Sequence, residues 1–155
     1  METAPAKASR PPGSVIGLSV LLGLLVVGAL QGGIAMVADP LEPLGMTVEF
    51  LEAAPVHTYF WPGLFLLGIA AAAIVTIAGL LSGWRWRWAR AIETAAGHRW
   101  PWLGAIAVGG VLLVFEIIEL WLVPFHPVMH PLLVAASAAI IVLACTRSAR
   151  AYLRA

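Results

Sequence analysis

Four apolar runs, at about 15–37, 59–82, 101–123 and 131–146, take up most of this 155-residue chain. Lipid offers no water to backbone N–H and C=O groups, so a run buried there must satisfy them within itself, as a helix does. At 1.5 Å per residue, roughly 20 residues cross the hydrocarbon core. The fourth run is the shortest. Only 11% of residues are charged, and mean hydropathy is +0.95, against about 25% charged in a soluble domain. The expected fold is an all-α integral membrane protein, a four-transmembrane-helix bundle forming one domain over 14–146. Residues 1–13 are expected to be a flexible cytoplasmic tail, and 147–155 a cytoplasmic tail. Lys7 and Arg10 ahead of the first run resemble a signal peptide, but the run is too long for one and reads as a retained span.

The charges fix an orientation. All nine basic residues lie at the two ends or in the connection 83–100, which four spans place on one side. The positive-inside rule puts that side, with both termini, in the cytoplasm and makes the chain a multi-pass protein of the cell (inner) membrane. The opposite side has the acidic connection 38–58, with Asp39, Glu42, Glu49 and Glu52 but no Lys or Arg. A short amphipathic helix over Met46–Ala53 is expected there, turning Met46, Phe50 and Leu51 inward. Ser14 is the expected cap of the first span, and Pro62 and Pro131 fall in first turns, where proline is tolerated.

The basic connection interleaves Arg85, Arg87 and Arg90 with Trp84, Trp86, Trp88 and Trp100, and Trp102 follows. Tryptophan favours the headgroup level and arginine snorkels beside it, so these residues are expected to be interface anchors in contact with the lipid bilayer. No long basic stripe exists, which argues against nucleic acid. Cys145 is alone, so no internal disulfide can form, and it is expected to be a packing residue.

Helices in lipid associate through small residues and polar contacts. Gly28 and Gly32 form a GxxxG in the first span, and Gly68 and Ala72 share that spacing in the second. In the third, Ala105, Gly109, Leu112, Glu116, Glu119 and Val123 fall within a stripe of about 80° at 100° per residue. Small residues admit a neighbour and carboxylates avoid lipid, so this face turns into the bundle. Carboxylates within a span are rare and mark a site or a deliberate polar contact. The candidate polar site is Glu119, Glu116, His130 and Gln31, with Glu119 favoured and paired to His130 or Gln31. Glu49, Glu52 and His126 are secondary candidates.

His126 and His130 have the i,i+4 spacing of a helical zinc pair, but Pro127 and Pro131 make the segment a turn, so no metal is expected. No cofactor motif, phosphate loop or nucleophile with a base is present, and the chain is expected not to be an enzyme. Two functions remain. One is an accessory or structural membrane component, working as a homo-oligomer or with a larger membrane partner. The other is proton-, cation- or small-ligand-linked transport or sensing through the Glu/His cluster, since carboxyls three residues apart repel when both are ionised and histidines titrate near neutrality.

The segments Gln31-Gly-Gly, Asp39-Pro, Leu44-Gly-Met46, Glu49-Phe50-Leu51, Pro55 and Tyr59-Phe60-Trp61-Pro62-Gly63-Leu64 resemble the first outer loop of an uncharacterised group of small four-span bacterial membrane proteins. Members have a basic, Trp-rich middle loop, a Glu or Gln late in the third span, matched by Glu119, and Gln-Pro-Leu opening the fourth, where this chain has His130-Pro131-Leu132. The resemblance implies the same four-helix fold and membrane address and brings no chemistry. By it, Glu119 and His130 hold the group's polar positions and Glu116 is an addition of this chain.

Overall fold

The computed structural model describes residues 10–82, 86, 87, 89–122 and 127–154. Among them the secondary structure is helical: α1 (Gly13–Ala38), α2 (Phe60–Ser82), α3 (Arg90–Ala96), α4 (Trp100–Leu122), α5 (Met129–Cys145) and α6 (Arg147–Tyr152), with two short 3-10 turns between α1 and α2. Three of these, α1, α2 and α4, are long and apolar enough to cross a membrane, and α5 is a shorter apolar helix. The chain has the character of a helical membrane-embedded protein. Of the expected tail over 1–13, residues 1–9 lie outside the described residues, and Gly13 is already the first residue of α1.

The long helices pack in chain order, α1 on α2, α2 on α4 and α4 on α5, and α5 returns to α1. Leu18, Leu22, Leu80, Leu112 and Ile140 are fully buried among them. Outward rows stay apolar and exposed, as on α1 at Ile16, Val20, Leu24, Val27 and Ile34. In water such a surface would aggregate; in lipid it is matched to its solvent.

Register is set at a few close approaches. Between α4 and α5, Trp102 donates its indole N–H to the Ala144 carbonyl at 2.9 Å. Gly109 lies against the Ser137 carbonyl, which would be 3.3 Å from an added Cβ. Glu116 meets His130. Each step of seven along α4 matches a step of seven back along α5, so the pair is antiparallel with a heptad-like repeat. Between α2 and α4, Phe65 stacks on Phe115 at 4.4 Å, and Thr76 abuts Gly104. Thr76 returns its hydroxyl to the Ala72 carbonyl at 2.8 Å and so brings no unsatisfied group into the contact.

The glycines that matter differ from those expected. Gly28 and Gly68 meet nothing within 4 Å, and Gly32 makes only an ordinary contact with Leu66. The tight crossing of α1 and α2 uses Gly33 and Gly63 instead, each within about 3 Å of the other's carbonyl oxygen were a Cβ added. Small residues are abundant in this chain, and spacing alone did not single out the pair that the crossing point selects.

Several local expectations are corrected. Ser14 does not cap α1: the Val15 and Ile16 amides bond the Pro12 carbonyl, and the Ser14 hydroxyl bonds Ser148 at 2.8 Å. No amphipathic α-helix forms over Met46–Ala53; Val48–Leu51 is a single 3-10 turn, with Leu51 buried and Phe50 exposed. Pro43 and Pro55 bracket a segment too short to offset helix nucleation, and Leu44 and Gly45 adopt positive φ. The segment is tied down by Tyr59, whose amide bonds the Pro40 carbonyl and whose hydroxyl donates to the Thr47 carbonyl, both at 2.9 Å. Cys145 is exposed rather than packed.

At the opposite end, residues 147–152 are helical as α6, with Ala149 and Leu153 fully buried. Trp100 is buried, stacked on Trp86 at 4.7 Å, and presses on Gly79. Trp102 is also drawn into the helix contacts, with His98 stacked on it at 4.4 Å. Trp100 and Trp102 are therefore packing residues rather than lipid-facing anchors. Arg87 and Arg90 are exposed, while Trp84, Arg85 and Trp88 lie outside the described residues. Glu93, which the sequence did not single out, is buried and accepts the Trp100 amide at 2.9 Å, satisfying an orphan donor at the start of α4. The Trp102 indole does the same for a terminal carbonyl of α5. Trp102→Phe is expected to lower stability by about 1 kcal/mol, read as a fall in melting temperature of the detergent-solubilised protein with unchanged helix content.

Candidate functional site

α4 carries its polar residues on the face that meets α5. Along it Ala105, Val108, Gly109, Leu112 and Glu116 are all buried, while Val111, Val114, Ile117, Ile118 and Trp121 point outward. Gly109 permits the close approach that sets Glu116 opposite the first turn of α5. Glu116 is 1% exposed, and its Oε2 lies 3.3 Å from His130 Nδ1. His130 is itself 6% exposed, in an otherwise apolar helix.

Glu119, one turn further along α4, completes the group. One ligand-type atom from each of Glu116, Glu119 and His130 lies within 4.8 Å of the other two. Glu119 is only partly buried, so the cluster runs from the dry interface at Glu116 to a more open edge. Tyr59, just ahead of α2, lies near that edge. The sequence did not mark Tyr59, because nothing local distinguishes it from the other aromatic residues at the start of α2.

The structure thus brings three of the four leading candidates together and rearranges their roles. His130 bonds Glu116, where Glu119 was the expected partner. Gln31 does not join them: it lies exposed on the outward row of α1. A helix has one face per direction, and the inward face of α1 there is taken by Ala29 and Gly33. Glu49 and Glu52 are exposed in the connection before α2, and His126 lies outside the described residues. A cavity of about 300 Å³, lined by Phe65, Gly110, Val111, Val114, Phe115 and Ile118, is wholly apolar in side chain and contains none of the cluster.

Chemically, the group is two carboxyls and an imidazole, of which Glu116 and His130 are buried and Glu119 partly buried. It can hold one or two protons in several arrangements, or offer oxygen and nitrogen donors to a cation. The residues expected to need no metal are thus grouped as a possible ligand set. Comparison with family models, curated proteins and solved structures gives no match.

Proposed function

We propose that this chain is a four-span protein of the cell membrane, both termini cytoplasmic, in which Glu116, His130 and Glu119 form a proton- or cation-linked site for transport or sensing. α5, about 25 Å long by its helical rise, serves as the fourth span beside α4 and α1. The one-sided distribution of Lys and Arg supports the orientation, and it leaves the cluster in the outer half of the membrane.

The observation that carries the functional reading is the burial of Glu116 against His130 inside a span. A polar contact between membrane helices contributes roughly 0.6 kcal/mol on average. An ionised carboxylate costs about 2.5–3.5 kcal/mol at the centre of a span by insertion scales, and less toward the outer end, where the cluster lies. Replacing a buried ion pair by well-packed apolar side chains of similar volume is often neutral or stabilising. Stability alone therefore does not account for the group, and a site that takes up and releases charge does. The reading as an accessory component, acting with a second copy or a larger membrane partner, has support in the unused Gly28 and the exposed Gln31 on the outward row of α1.

Infrared difference spectroscopy of the protein in lipid nanodiscs, between about pH 5 and 8 where histidine changes charge, tests the ion-linked reading. The wild type is expected to show a change in carboxyl and imidazole bands that Glu116→Gln and Glu119→Gln each alter. Identical difference spectra for wild type and both variants would leave the accessory reading standing.

A further inference from the structure

We propose that the ion taken by the Glu116–His130–Glu119 group is a divalent first-row transition metal of the zinc type; this rests on the ion-linked reading above and names its occupant. Three observations converge. First, the spacing suits the ion. Zinc holds nitrogen and oxygen donors at about 2.0–2.2 Å in a tetrahedron, whose edge is then about 3.3–3.6 Å. Glu116 Oε2 and His130 Nδ1 stand 3.3 Å apart. The Glu119 donor, within 4.8 Å of both, needs a shift of little more than 1 Å, which a rotation of its partly buried side chain at the open edge supplies.

Second, the charge balances. Two carboxylates and a neutral imidazole around a divalent cation sum to zero, which removes most of the cost of charge in lipid. A monovalent ion leaves one negative charge behind. Third, the donor set discriminates. Imidazole with two carboxylates suits zinc, manganese or cobalt, whereas magnesium and calcium prefer oxygen alone. The donors come from two helices whose register is held by Gly109 and by the Trp102 bond to Ala144, so the spacing does not depend on a loop. Glu119, at the open edge, is the first donor an arriving ion meets, and Glu116 the last.

Binding replaces protons on the cluster, so metal uptake and proton release are coupled. No bond is made or broken other than metal–ligand and proton–ligand bonds, and no electron moves.

The test is titration of the full chain in nanodiscs with Zn2+, Co2+, Mg2+ and Ca2+, following heat, the visible absorption of Co2+ and proton release into weak buffer. One Zn2+ or Co2+ per chain is expected, with proton release and with Mg2+ and Ca2+ not competing. Glu119→Gln is expected to weaken binding at least 10-fold while leaving helix content and elution volume unchanged; Glu116→Gln and His130→Gln are expected to abolish it. The proposal is overturned if Zn2+ does not bind, or if it binds wild type and Glu119→Gln alike, which would place it on surface groups such as Glu49, Glu52 or His57. Metal-free infrared changes at Glu116 and Glu119 without Zn2+ binding would overturn the metal and keep the proton-linked site; the loss of both would remove both.

Discussion

His130→Ala is expected to destabilise the protein by about 1–3 kcal/mol, the scale of leaving a buried polar group without its hydrogen-bond partner. The substitution leaves Glu116, 1% exposed, facing a cavity with Glu119 as its only titratable neighbour in the cluster. Glu116 then loses its buried hydrogen-bond partner and is left beside a second carboxyl. The double variant Glu116→Leu/His130→Leu is expected to behave oppositely, recovering the wild-type stability or exceeding it by about 1–4 kcal/mol, because apolar groups of similar volume carry no desolvation cost. Unfolding in mixed micelles, followed by helix signal, separates the two. If the single and double variants are equally unstable, the contact is worth its place by packing alone, and the case for a functional group weakens. If the double variant is more stable than wild type yet binds no metal and shows no infrared change, the cluster is retained for chemistry at a cost in stability.

Gly79→Val is expected to be the most damaging substitution at the other end of the helices. A Cβ at Gly79 falls on the Trp100 ring and 2.8 Å from Pro101 Cγ. The ring cannot step aside easily, since it is stacked on Trp86 and its own amide is held by the buried Glu93. Overpacking of this kind costs about 1–3 kcal/mol for a single excess methylene, and valine adds three carbons. The expected result is loss of the α2–α4 contact, read as reduced stability and as cysteine cross-linking lost between positions 76 and 104. Gly28→Ala is the control: nothing lies within 4 Å of its added carbon, so the change should stay within about 0.5 kcal/mol. Equal effects at the two glycines would mean that helix flexibility, not close packing, is what the glycines supply.

Both substitutions bear on how much of this protein was legible in the sequence. The apolar runs are local properties, and α1, α2, α4 and α5 lie where the runs do, within a few residues. The inward stripe on α4 was legible too, because a 3.6-residue period places Ala105, Gly109, Leu112 and Glu116 on one face whatever that face meets. The connection after α1 was less so. Its apolar residues suggested a helix, but the prolines and the positive φ at Leu44 and Gly45 favour separate turns. Trp100 and Trp102 carried a composition signal for the membrane interface, and tertiary packing took them inward.

The sequence by itself determined where the four long apolar helices lie, which face of α4 must be covered, and that carboxyls on that face need a partner. Only the tertiary structure decided that the partner of His130 is Glu116, that Gln31 stands apart, and that Gly33, Gly63, Gly79, Gly104 and Gly109 are points of close approach. The division has one physical cause. Periodicity is a property of a single helix, whereas pairing depends on the axial offset between two. That offset is set jointly by contacts such as Gly109 on Ser137 and Trp102 on Ala144. A shift of one turn would have exchanged Glu116 for Glu119 without changing any helix.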